Sequence, residues 1–491
     1  MDIMKGLSPP SKVYFIGIKG TGMCALAEFL HNRRVKVTGS DCADVFYTDA
    51  ILNELNIPFF ESFDAKNIIN EKPDVVIHSD AYSFDKNPEM AQAKKQGLPI
   101  FQYSKALGEY TRDFDFSGIT GSHGKTTTTA MSGTMIRAAG LPAQVLVGSA
   151  VSSFGNRSTL NLGDKYFIAE TDEYRRHFLN FEPQRIILSS VEEDHQDYFP
   201  DYDSILKAYL EYLDKLPDSG QLIYCADDLG ACEAANIISE QNKSLTLIPY
   251  GFTAQGDWGI VSHESGIGFQ KFNVRGFSEE IEISIPGKHS CVNAAAALAL
   301  TNELVLKEFG SFTQDMKKNV CKAIKDFRGS KRRSEVLGEA RGILFMDDYG
   351  HHPTEIATTL RGLKEFYGRR LVLSFMSHTY TRTAALFDEF ASSLEYADIL
   401  VLHKIYGSAR EVYTGGITGL SLYEKVKTKM GEAVFYSEEV LDAVHTLKDI
   451  LKPGDLFITM GAGDNFKLGQ KLFEIYNGMR EKNVSASGNF D

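Results

Sequence analysis

The chain has 491 residues, more than one ordinary domain holds, and its length suggests about three domains. Apolar residues make up 43% and charged residues 24%, and 52 basic against 65 acidic side chains leave a formal charge of −13. That balance speaks against nucleic acid as the main partner, while local basic clusters can still bind small anions. No stretch approaches the ~20 apolar residues of a membrane span, so no membrane insertion is expected. Met1–Lys12 carries no apolar core of a signal peptide. The six cysteines, Cys24, Cys42, Cys225, Cys232, Cys291 and Cys321, form no Cys-x-x-Cys pair. The expectation is a reduced, cytoplasmic protein without zinc or disulfide framework.

Short β-branched runs alternate with amphipathic helical patterns, the mark of α/β layering. In chain order, Lys12–Ile16 predicts a strand, followed by a glycine-rich turn and a helix over Met23–Leu30. Strands are expected at Val35–Thr38 and Asp74–Ile77, and the first unit closes near Ser104–Leu107. Asp115–Thr120 predicts a strand running into a second glycine-rich turn, and Thr126–Ala139 a helix closed by Gly140. Further strands are expected at Tyr166–Ala169, Arg185–Val191 and Gln221–Cys225, then an alanine-rich helix at Cys291–Phe309. From Phe327 on, Ile343–Asp347, Thr354–Tyr367, Arg370–Phe375, Thr383–Leu394, Ile399–Leu402 and Leu456–Thr459 alternate strand and helix. Such alternation predicts a parallel sheet with crossover helices. Domains are expected at residues 1–110, 111–326 and 327–482, with a polar, disordered tail at 483–491.

The sharpest local signal is Gly118-Ile-Thr-Gly121-Ser122-His123-Gly124-Lys125-Thr126-Thr127, between a strand and a helix. Glycines let backbone amides converge on phosphate oxygens without a Cβ in the way. Lys125 is expected to neutralise the β/γ-phosphates of ATP, and Thr126 to place its hydroxyl on Mg²⁺. Ile119 stands where the strict phosphate-loop spacing has glycine, so the loop is a variant over Gly121–Thr126. The first turn, Gly17-Ile-Lys-Gly20-Thr-Gly22, is followed about 20 residues later by Asp41, which suits a diphosphate on the helix N-terminus and a carboxylate on a ribose. By pattern it fits NAD, a UDP-sugar or a bare tight turn.

Glu170-Thr-Asp172-Glu173 and Glu193-Asp194-His195 end strands near the phosphate loop. Carboxylates there can hold Mg²⁺, and a neutral imidazole can join them, although a solvated acidic loop has the same composition. In the third unit Asp347-Asp348-Tyr-Gly-His351-His352-Pro-Thr-Glu355 follows a strand and opens a helix. Paired histidines at a helix start can orient a substrate, take a proton or cap the helix. The basic run Arg328 to Arg333 lies upstream and His378-Thr-Tyr-Thr-Arg382 downstream. Arginine pairs bidentately with carboxylate and phosphate.

Taken in order with Pro286-Gly-Lys-His289 and Gly461-Ala-Gly-Asp464, these motifs resemble the Mur ligase family over about Val13 to Phe473. The resemblance implies three α/β domains: a Rossmann-like UDP-binding domain, a central phosphate-loop ATPase and a Rossmann-like C-terminal domain. It implies an ATP-dependent ligase of peptidoglycan precursor synthesis that joins UDP-N-acetylmuramate and L-alanine through an acyl phosphate. It also implies roles. Gly20 and Gly22 hold the UDP diphosphate, and Thr126, Glu170 and His195 the metal. Asn293 contacts adenine. Arg333 and Asp348 approach ATP, and His351, His352 and Arg382 line the amino-acid side, with His352 or Asp348 as the base. The chain departs from the family at Lys19, Ser290, Met376-Ser377 and Lys404, and no lysine falls at the family's carbamylated position, Lys207 being only nearby. Hinges are expected near Arg112–Phe114 and Phe327–Ser330. Rival readings are a peptide-recycling ligase of the same family, an NAD-dependent oxidoreductase and a nucleotide-sugar sensor without catalysis. Oligomeric state is left open.

Overall fold

A computed structural model describes residues 11–195, 198–241, 244–407, 411, 413 and 415–484. The chain divides into two compact units. The first holds the residues up to Glu192 with Tyr202–Gly259 and Ala296–Val320; the second holds Glu193–Asp201, Ile260–Ala295 and the chain from Cys321 on.

Two sheets build the first unit. The amino-terminal one has the order Phe59–Phe60, Lys36–Ser40, Lys12–Ile16, Val75–His78, Ile100–Gln102. All its neighbours are parallel, which needs helical crossovers and buries both faces. Hence Val13 to Ile16 are all buried, as a run rather than an alternation. The second sheet runs Thr246–Gly251, Gln221–Cys225, Arg185–Leu188, Asp115–Thr120, Tyr166–Glu170, Ala143–Val151, Arg157–Asn161. Only its last pair is antiparallel. Each sheet sends its central strand into a glycine turn and a helix, Thr21–Asn32 and Lys125–Ala139 respectively. Both helices start at the carboxyl end of a parallel strand, where such folds bind ligands.

Arg112–Phe114, where a hinge is expected, adjoins a packed aromatic seam. Phe114 meets Tyr110 and Phe167 at 5.5 and 5.3 Å, Phe29 meets Phe167 at 5.4 Å, and the Arg33 guanidinium lies 4.4 Å from the Tyr110 ring centre. Tilted and edge-on rings of this kind, with a guanidinium over a ring face, add to the packing of the seam. Across the same seam Glu28 accepts from Arg157 (2.6 Å) and from the Thr159 hydroxyl (2.7 Å).

In the second unit a six-stranded sheet runs Glu335–Ala340, Ile343–Asp348, Asp455–Met460, Arg370–Phe375, Ile399–Leu402, Val434–Tyr436. Its first pair is antiparallel and the rest parallel, so crossover helices cover both faces. Two apolar clusters result, one around Leu360, Leu373 and Phe390 and one around Phe345, Phe457 and Leu468. A small antiparallel sheet pairs Phe269–Val274 with Ile281–Ile283 and with the part of Trp258–Gly266 from Ile260 on.

Two expected elements differ. The helix expected at Thr383–Leu394 is two, Tyr380–Ala385 and Phe387–Leu394, broken at Leu386 (φ −115°, ψ 33°). Apolar spacing continues through Leu386, so periodicity alone does not register the break. The strand expected to reach Val191 ends at Leu188, because Ser190 then bonds to the phosphate loop and Val191 N–H to Asp228 instead of to a ladder. The final helix is Phe466–Val484, and the tail residues 485–491 lie outside the described residues, as do 408–410.

Candidate active site

The phosphate loop takes its shape from two glycines in conformations that side chains resist, Gly121 (φ +134°) and Gly124 (φ +80°). A Cβ on Gly121 would stand 2.2 Å from the Ser189 hydroxyl and 2.7 Å from the Ser190 nitrogen. That closeness comes from a strap, residues 189–192, which follows the neighbouring strand. Ser122 N–H donates to the Ser190 carbonyl (3.1 Å), and His123 N–H to the Ser190 hydroxyl (2.9 Å). Glu192 N–H donates to the Ser122 hydroxyl (2.9 Å). The strap is itself held by Asp228, whose Oδ1 accepts from Val191 N–H (3.0 Å) and from Ala231 N–H (2.7 Å) at the start of the helix Leu229–Gln241. Sequence reasoning missed Asp228 and the serines; the N-cap pattern of an aspartate before a helix was the available signal.

Lys125 opens its helix and reaches back to the Gly121 carbonyl (2.5 Å) and to both oxygens of Glu173 (3.0 and 2.9 Å). Burial opposes its charge, but Glu173, with Asp172 and Glu170, holds its pKa above the ordinary lysine value. The next residue, Thr126, donates its hydroxyl to Glu170 (2.9 Å), which also accepts from Gly148 N–H (3.1 Å). The expected pair Thr126 and Glu170 is therefore together, two oxygen donors at one strand end. Thr127 continues the first turn of the same helix, half-buried.

At the first turn, Gly17 has φ +89° and Gly20 is the N-cap of the helix Thr21–Asn32. Gly22 lies so close to Tyr103 that a Cβ would stand 2.4 Å from its hydroxyl. Asp41, expected at a ribose, is buried and directed at the turn: Oδ2 accepts from Lys19 N–H (2.7 Å), Oδ1 from Cys42 N–H (2.8 Å) and the Tyr82 hydroxyl (3.0 Å).

In the second unit, His352 caps the helix Pro353–Tyr367, its Nδ1 accepting from Thr354 N–H (3.4 Å) with Glu355 completing the box. Of the three options open for this histidine, the structure shows the cap. Asp348 accepts from Ser334 N–H and Gly350 N–H, both at 2.6 Å, and burial raises its pKa despite Arg333. Arg333 lies 3.7 Å from Glu355 and 5.3 Å from the Tyr349 ring centre. Arg382 is buried against Asp194, its Nε 3.2 Å from Oδ1, and its Nη1 donates to the His378 carbonyl (3.3 Å). Arg382 holds Asp194 well below the usual carboxylate pKa, although burial opposes this. His351 lies nearby, its pKa lowered to about 3 by burial and Arg382, so it is neutral near pH 7. His195, next to Asp194, has a left-handed backbone (φ +55°). Asn293 is buried in the second turn of the helix Lys288–Phe309. His289, in that helix's first turn, has its pKa lowered to about 4 by burial.

Three family models match this chain in sequence: the Mur ligase family catalytic domain over residues 12–115, the Mur ligase middle domain over 119–301 and the Mur ligase glutamate ligase domain over 332–463. The chain belongs to the Mur ligase family. Among its relatives, the UDP-N-acetylmuramate–L-alanine ligase of Treponema pallidum is 52% identical over 468 residues, 95% of this chain and 96% of that protein. In fold it is similar to the UDP-N-acetylmuramate-alanine ligase of Thermotoga maritima, with TM-score 0.76 at 24% identity over 95% of this chain and 99% of that one. It is similar also to a murein peptide ligase of Psychrobacter arcticus, with TM-score 0.65 at 22% identity over 95% and 99%. Family membership removes the oxidoreductase reading of the first turn.

Proposed function

We propose that this chain is an ATP-dependent ligase that joins L-alanine to the carboxylate of UDP-N-acetylmuramate, in the synthesis of peptidoglycan precursors. The observation that carries the reading is 52% identity to a ligase of that name over 95% of the chain. The phosphate loop with Lys125 and the Thr126–Glu170 pair supports it. The proposed division of labour is 1–110 for the UDP-sugar, 111–326 for ATP and 327–482 for the amino acid, in the cytoplasm, where ATP and nucleotide-linked sugars are available.

A carboxylate does not yield to an amine at neutral pH, because oxide is too poor a leaving group. Transfer of the γ-phosphoryl group of ATP to the carboxylate gives an acyl phosphate and ADP. The alanine amine then adds to the acyl carbon, loses a proton, and phosphate departs as the amide forms. By resemblance, Gly121, Ser122, His123, Gly124 and Thr127 are proposed residues of the ATP site; Ser122 N–H and His123 N–H are held by the strap and so set the loop's shape, and Lys125 stabilises the charge on the transferring group. The Thr126 hydroxyl and Glu170 carboxylate are hard oxygen donors, a set that fits Mg²⁺. Such an ion, when bound, neutralises phosphate charge. By resemblance, His195 is proposed as a further metal-binding position, Asn293 and Arg333 as ATP contacts, and His351 and Arg382 as residues of the amino-acid side. Asp348 or His352 is the proposed proton acceptor: burial raises the Asp348 pKa above the ordinary carboxylate value, and the cap uses only the Nδ1 of His352.

Phosphate release from ATP and Mg²⁺ with UDP-N-acetylmuramate tests the reading. Release that requires L-alanine supports it. Release only with a peptide moves the chain to recycling, and no release with any amine refutes it.

A further inference from the structure

Lys19 sits inside the first glycine turn, and its side chain is fully buried. A buried ammonium must be paired. Its Nζ donates to the Asp44 carbonyl (3.0 Å), lies 3.2 Å from Asp49 Oδ2 and 3.8 Å from Glu61, and stands 5.1 Å from the Phe59 ring centre. Its main chain is tied as well: N–H to Asp41 (2.7 Å), and carbonyl to the Thr48 hydroxyl (2.5 Å).

All of these partners come from residues 41–61. Three consecutive residues at the start of the helix Tyr47–Glu54 reach the turn: Tyr47 to the Thr21 hydroxyl (3.1 Å), Thr48 to the Lys19 carbonyl, and Asp49 to the Lys19 ammonium. Among the described residues the other Asp49 oxygen is buried without a hydrogen-bond partner, so Lys19 is the cation that the Asp49 carboxylate faces. On the opposite side the turn has no slack, because a Cβ on Gly17 would stand 2.7 Å from Tyr82.

We propose that Lys19 is a positioning residue for the nucleotide-sugar substrate: its buried ammonium clamps the first turn of the helix Tyr47–Glu54 onto Gly17–Gly22 and so fixes the amides that receive the diphosphate. This rests on the reading of that turn as the UDP site. Lys19 does not contact the diphosphate; its charge is spent on Asp49. Pre-ordering of the turn lowers the entropy cost of binding.

The test uses the full chain with the double substitution Lys19→Met and Asp49→Asn, which removes both charges together. The expected result is a rise of about tenfold in KM for UDP-N-acetylmuramate and in Kd for UDP by calorimetry. The kcat at saturation and the KM values for ATP and L-alanine stay within about twofold. A folded double variant with unchanged KM for the UDP-sugar overturns the proposal. So does a fall in kcat alone in step with lost thermal stability, the mark of a merely structural role. If the double variant does not fold, Asp49→Asn alone decides, with a rise of about threefold expected and no change fatal. Wild-type protein that binds no UDP overturns the functional reading and this inference together; a null confined to the variants overturns the inference only.

Discussion

The two glycine turns of the first unit follow one plan and are held in opposite ways. Each leaves the central strand of a parallel sheet and opens a helix, and each carries a lysine. In the phosphate loop the ammonium returns to the loop's own Gly121 carbonyl and to Glu173, with 14% of the side chain exposed. In the first turn the ammonium leaves for Asp49 and the Asp44 carbonyl, with 0% exposed. The surrounding shape follows suit. Serine hydroxyls and backbone groups of the 189–192 strap hold the phosphate loop, leaving its cation at the mouth, whereas a carboxylate, Asp41, and a buried cation hold the first turn. A lysine in a glycine turn is thus no phosphate ligand by composition; its anchor decides.

The largest expected effect separates the two cations. Lys125→Ala should cost about a thousandfold in phosphate release, the order seen when a preorganised charge is taken from a developing anion. Lys19→Ala should leave turnover at saturating substrate far less affected. Equal losses of kcat in a steady-state assay would erase the distinction between a ligand and a clamp.

Next come the glycines. Gly121→Ala combines a φ of +134° with a Cβ 2.2 Å from the Ser189 hydroxyl, and should cost about 3 kcal/mol of stability. Gly20→Ala has a φ of −58° and no Cβ neighbour nearer than 3.5 Å, so melting should shift little while UDP binding weakens. Thermal melting of both variants checks this, and a destabilised Gly20→Ala would mean that the Gly20 position is as tightly enclosed as Gly121.

Asp228→Ala tests the strap. It removes the acceptor for Val191 N–H and Ala231 N–H, a loss of about 2 kcal/mol. Because the strap shapes the phosphate loop, KM for ATP should rise while KM for the UDP-sugar holds. An unchanged KM for ATP would make the strap a feature of folding alone.

What was legible in the sequence was the phosphate loop, since glycine, lysine and threonine at fixed offsets state their own purpose. Asp115–Thr120 and Lys12–Ile16 were readable to the residue, being apolar runs that end in glycine turns. The supports were not. Ser190 lies 67 positions from the loop residue it holds and Asp228 lies 37 from the strap residue it holds, and nothing in their local pattern names a distant partner. Lys19 was visible only as a departure from the family it resembles, because its partners at 41–61 follow from the parallel pairing of strands and not from any motif. Arg382 and Asp194, 188 positions apart, were each expected near a site, but their ion pair was unreadable for the same reason.

The smallest expected effect is that of Asp41→Asn. The substitution keeps the size of the side chain and one oxygen, and replaces the other by an amide nitrogen that donates. Asp41 now serves three donors with two oxygens, Lys19 N–H on one and Cys42 N–H with the Tyr82 hydroxyl on the other. An asparagine can face only one of these sets with its oxygen, so at least one buried donor loses its acceptor, at a cost of about 1 kcal/mol. The turn should slacken on that side, raising KM for the UDP-sugar by a few-fold, with ATP binding unmoved because the strap is untouched. The direction of the KM change, more than its size, carries the comparison: if KM for ATP rises instead, the two turns share one support, and the separate anchoring of ligand and clamp described here is lost.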